Sequence, residues 1–74
     1  MADYEINVAD VEEYQMTADL VELEQIFTRA KSTVVQGGTV ILLRKFADGR
    51  FEKFDELTSE GDLEAYREKV YKYL

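Results

Sequence analysis

The sequence predicts one small α+β domain, and three patterns carry that prediction. Apolar residues recur at helical spacing through the first half, two strand-like runs flank Asp48-Gly49, and a second, shorter helical stripe lies near the carboxyl end. The expected order is β-α-β-β-α, with an antiparallel two- or three-stranded sheet, an Asp-Gly hairpin, and two helices packed on one face of it. The 74 residues suffice for one domain, 1–74. A core of that size contributes only roughly 3–5 kcal/mol and leaves little room for a deep enclosed cavity.

The acidic segment 1–16 opens with Tyr4, Ile6 and Val8, whose alternation predicts a short strand over 3–8; Val11, Tyr14 and Met16 continue neither period. A lone hairpin is marginal in water, so a third strand here is the economical reading. From Thr17 the period becomes helical: Leu20, Leu23, Phe27, Ala30 and Val34 are spaced by three or four, with Ile26 beside them, predicting a helix over 18–35. Thr17 or Asp19 can cap its start, Glu22 and Glu24 lie near its positive end, Arg29 and Lys31 nearer its negative end, and Gly37-Gly38 supply a left-handed stop.

Thr39 to Phe46 is β-branched and apolar on both parities, Arg50 to Leu57 is more polar, and Asp48-Gly49 between them predicts a hairpin over 39–57. A two-residue turn opposes Phe46 to Phe51, Leu43 to Phe54 and Val40 to Leu57, but sets Arg44 against Lys53. A three-residue turn, Ala47-Asp48-Gly49, sets Arg44 against Glu52 instead, so the register stays open. Thr58 to Asp62 reads as a turn into a helix over 59–73, capped by Ser59 or Thr58, with Leu63, Tyr66, Val70 and Tyr73 on its stripe.

The absent residue types narrow the function. With no Cys and no His, disulfides, Cys/His zinc sites, thiolate nucleophiles and the commonest general base are excluded. The longest apolar run, Val40 to Leu43, is far short of the ~20 residues of a membrane helix, and the first ten residues lack the basic and apolar stretches of a targeting signal. A cytoplasmic location is the expectation. The net charge of −7 is uneven: residues 1–28 hold eight carboxylates and no base, whereas 29–53 hold six bases against two acids. Such a chain repels phosphate backbones at long range, so direct nucleic-acid binding is not expected.

Four candidate sites follow. Asp10, Glu12, Glu13, Asp19, Glu22 and Glu24 could imitate a phosphate backbone; the plainer reading is a solvated face that keeps a small protein dispersed. The run from Asp48 to Glu56 puts bases where a calcium loop needs oxygen ligands, so no metal or other cofactor is expected. Glu60, Glu64 and Glu68 share a helix face without any sign of a cleft, and Gly37-Gly38 follows a helix and precedes a strand, the reverse of a phosphate-binding order. No enzyme is expected. The fourth candidate is a partner surface of Ile41, Leu43, Tyr66, Tyr71 and Tyr73, because the central strand is apolar on both faces and Tyr71 falls off its helix's stripe. Cover could come from a second copy, a protein partner or the chain's own first 16 residues. The bases Arg44, Lys45, Arg50 and Lys53 gather near the hairpin tip, where ion pairing is the plainer reading. The sequence thus predicts a non-enzymatic protein-protein interaction or accessory module, expected to form a homodimer or join a complex; the rival is an acidic DNA-mimic inhibitor of a basic nucleic-acid-binding protein.

Overall fold

A computed structural model describes residues 3–74. Strand β1 (Tyr4–Asn7) runs without a loop into helix α1 (Val8–Thr17), because Asn7 ends the one and caps the other: its backbone is extended and its Oδ1 accepts from the Ala9 amide at 3.1 Å. Helix α1 stops at Ala18, which adopts a left-handed φ of 54° while the Asp19 amide donates to the Tyr14 carbonyl at 2.9 Å. Asp19 then caps helix α2 (Leu20–Val35), its Oδ1 accepting from the Glu22 amide at 3.2 Å.

Helix α2 buries Leu23, Phe27, Ala30 and Val34, the expected stripe, while Leu20, at its first position, stays exposed. Its end is a Schellman motif: Gly37 sits at φ 86°, its amide donates to Val34, and the Gly38 amide donates to Thr33 at 2.8 Å. A side chain at Gly37 would be strained by the positive φ alone. Strands β2 (Val40–Lys45) and β3 (Phe51–Leu57) follow, and then helix α3 (Glu60–Lys72), which Ser59 caps by accepting from the Asp62 amide at 3.1 Å.

The sheet order is β1-β2-β3, with β2 in the centre. The expectation of an antiparallel sheet is corrected: β1 and β2 are parallel, from Tyr4 opposite Val40 to Asn7 opposite Leu43, and only β2 and β3 are antiparallel. The physical reason is the connection. Two helices lie between β1 and β2, and such a crossover returns the chain to the same end of the sheet, as a tight turn cannot. The expectation of two helices becomes three, because α1 forms where Val11, Tyr14 and Met16 show no period, and the first strand is Tyr4–Asn7 rather than 3–8.

Both registers considered for β2 and β3 occur. Near the turn Lys45, Arg44 and Leu43 face Phe51, Glu52 and Lys53; near the base Leu42, Ile41 and Val40 face Asp55, Glu56 and Leu57. The one-residue shift falls between Leu42 and Leu43 and leaves Phe54 as the extra residue of a bulge. At the tip the Phe46 amide donates to Arg50 at 2.8 Å and the Gly49 amide donates to Phe46 at 3.0 Å, with Gly49 at φ 89°. Only a residue at ease with positive φ closes this three-residue loop.

One core joins all elements. Ile6, Val40, Leu42 and Leu57 from the sheet meet Val8 and Val11 of α1, Leu23, Phe27, Ala30 and Val34 of α2, and Leu63 and Val70 of α3. These sheet residues share one side-chain parity, so all three helices cover the same face. The Gln15 side chain donates to the Val70 carbonyl at 2.9 Å and fixes α1 against α3. Among the described residues no helix is long and apolar enough to cross a membrane.

Candidate interaction surface

The opposite parity of the sheet points away from every helix. On it lie Glu5 and Asn7 of β1, Ile41, Leu43 and Lys45 of β2, and Phe51, Lys53 and Glu56 of β3. Two contacts place neighbours on this face together: Lys53 Nζ to Glu56 Oε2 at 3.3 Å, and Lys45 Nζ at 5.8 Å from the Phe51 ring centre. Ile41 and Leu43 are half-buried by their neighbours, and Phe51 is 52% exposed. The face is therefore an apolar strip with charges in rows across it. Glu5 and Glu56 flank Ile41 at one end; Lys53 and Lys45 stand at the other.

The outer half of β2 and β3 forms an arm that carries further aromatics on the opposite, helix-side parity. Phe46 and Phe54 are 41% and 54% exposed, and each lies under a guanidinium, Arg50 and Arg44 respectively, at 5.9 Å. Arg50 also pairs with Asp48 at 2.6 Å and Glu52 at 3.4 Å. Arg44 reaches Glu12 on α1 at 2.8 Å, tying the arm to the helical layer. The ion pairs are solvated, and each contributes under about 1 kcal/mol. The sequence pattern singles out the bases and not the three phenylalanines, whose signal is their position among charges rather than in an apolar run.

The tyrosines divide. Tyr73 is exposed, whereas Tyr66 and Tyr71 both turn inward onto Phe27, with ring centres 5.9 and 5.8 Å away. Both are partly buried and packed against the core, since α3 contacts α2 as well as α1, and this widens the covered arc beyond a single stripe. Burial, and then the nearby Glu12 carboxylate, push the Tyr66 hydroxyl up to about 12, against the opposing pull of Arg44. The Tyr71 hydroxyl is buried without a hydrogen-bond partner, and the Arg67 guanidinium lies 4.7 Å from the ring centre.

The six acids of the expected mimic face divide. Asp10, Glu13, Asp19 and Glu22 surround Tyr14 and, after the desolvation of its hydroxyl, raise its pKa; Glu12 faces Arg44 instead, and Glu24 borders a shallow groove between α2 and α3 with Lys31 and Arg67. Among the described residues no group of acidic side chains is arranged to hold a metal ion. The main surface hollows among the described residues are open to solvent. A second apolar patch, Met16, Leu20 and Val21, lies exposed around the joint of α1 and α2. Comparison with protein-family models, curated proteins and solved structures finds no match for the chain.

Proposed function

We propose that this protein is a non-enzymatic interaction module that offers the helix-free face of its sheet to a protein partner or a second copy. The observation that carries the reading is the strip Ile41, Leu43 and Phe51 on the face opposite all three helices. A small domain gains nothing in its own core from apolar residues there, and a partner that covers them removes their area from water. The charge of −7 fits a cytoplasmic protein that meets other proteins rather than nucleic acid, membrane or a small-molecule substrate. Parallel pull-downs with wild-type, Leu43→Asp and Phe51→Ser baits, washed at high salt, test it. Binding present for wild type and lost in both variants is expected; equal binding by all three contradicts it.

The gathering of Asp10, Glu13, Asp19 and Glu22 around Tyr14 favours a second reading, an acidic mimic that occupies the basic groove of a nucleic-acid-binding protein. Such binding falls steeply with salt and disappears when Glu13 and Glu22 are changed to Lys. Salt-resistant binding that survives those changes removes it.

A further inference from the structure

The charge pattern of the uncovered face is complementary to itself, and this identifies an occupant. We propose that the face is the interface of a symmetric dimer in which two copies pack sheet to sheet with their strands antiparallel, the acidic end of each over the basic end of the other. The inference rests on the proposed interaction function and specifies its partner.

The rows of the face fix the orientation. Glu5, Ile41 and Glu56 form one row, Asn7, Leu43 and Lys53 the next, and Lys45 with Phe51 the last. Asp3, whose Oδ1 accepts from the Thr39 amide at 3.2 Å, adds a further carboxylate beyond the acidic row. Two identical faces meet only when their two-fold axis lies in the plane between them. An axis along the strands superposes like rows and sets carboxylate against carboxylate. An axis across the strands reverses one copy, bringing Glu56 toward the other copy's Lys53, Ile41 toward its Leu43, and Lys45 toward its Asp3 end. Both are aligned packings of the kind that sheet pairs adopt, and only the second matches charge with charge.

The alternative of joining sheets at the β3 edge is opposed by the edge itself. The Phe54 bulge interrupts its ladder, and Glu52, Lys53, Asp55 and Glu56 crowd it with charge, the features that keep edges from pairing.

The size of the face sets the strength. Three strands spaced by ~4.8 Å and about six residues long at ~3.3 Å each make a face of roughly 14 by 20 Å, well below the ~800 Å² per partner of a standard interface. Each copy also has a complete core of its own. The dimer is therefore a concentration-dependent equilibrium between folded monomers. Both copies carry −7, so association is measured at physiological salt, where the screening length is about 8 Å.

Sedimentation velocity on the full chain across micromolar to millimolar concentration tests the proposal, with the fold of each variant checked by circular dichroism. The wild type is expected to pass from monomer to dimer with rising concentration. Leu43→Asp is expected to raise the dissociation constant at least tenfold, and Phe51→Ser, at a more exposed position, serves if Leu43→Asp unfolds. Lys53→Glu and Glu56→Lys are each expected to weaken the dimer, and the double variant, whose net charge equals the wild type's, to restore it. A wild type that stays monomeric at millimolar concentration overturns the dimer. So does a dimer that neither apolar substitution weakens, or single reversals that the double variant fails to rescue. If the dimer fails while a different protein is still held by wild type and lost in Leu43→Asp, the interaction function stands without it; if both are absent, both fall.

Discussion

Four consecutive residues of β2 make the sharpest comparison in the molecule. Val40 and Leu42 are 0% and 1% exposed, whereas Ile41 and Leu43, one position along and equally apolar, are partly exposed. Composition does not separate the pairs; cover does. The inner pair faces three helices, and the outer pair points away from them. On the proposed reading, stability and association belong to opposite faces of a single strand, and each can be altered without the other.

The largest effect expected from breaking this comparison is a difference between neighbouring leucines. Leu42→Ala removes a fully buried side chain and should cost about 3 kcal/mol in denaturant unfolding, whereas Leu43→Ala should cost under about 1 kcal/mol at concentrations where the chain is monomeric. Equal losses would mean that the outer face contributes as much to folding as the inner one.

The helical layer should also respond to alkali. The Tyr66 hydroxyl is held at about 12 in the folded state against an unfolded value of 10.0. Below pH 10 both states keep the proton. Between about 10 and 12 only the unfolded state releases it, so unfolding becomes easier as pH rises through that window. Tyr66→Phe should flatten the decline by up to about one proton, as measured by denaturant titration at several pH values. An unchanged slope would place the alkaline sensitivity elsewhere.

A smaller effect of opposite sign is expected at Tyr71. Its buried hydroxyl has no partner, so Tyr71→Phe should leave stability unchanged or raise it by up to about 1 kcal/mol. A clear loss would reveal a hydrogen bond to water at that oxygen. The smallest effect concerns the link between layer and arm: a double-mutant cycle on Arg44 and Glu12, both about half exposed, should give a coupling of about 0.5 kcal/mol or less.

What the sequence disclosed follows from how many residues carried each signal. Helix α2 announced itself through four buried positions, an Asp cap and a Gly stop. Helix α1 did not, because it buries only Val8 and Val11, and Val8 also completes the alternation of Tyr4 and Ile6. The parallel pairing of β1 was hidden with it, since one helix fewer in the connection left a simple antiparallel third strand as the economical arrangement. The two candidate registers were each half of the answer, and the bulge at Phe54 that joins them is a choice of tertiary packing. Ile41 and Leu43 were legible as a surface because β2 is apolar on both parities. The packing of Tyr66 and Tyr71 is not legible because a helical wheel shows one helix, and it is Phe27 of another that draws both rings inward.

Methyl resonances recorded on dilution from millimolar to micromolar concentration test the division between the two faces most directly. Ile41 and Leu43 are expected to shift with concentration while Val40 and Leu42 stay fixed. Shifts confined to Leu20 and Val21 at the joint of α1 and α2, or none at any concentration, would contradict it.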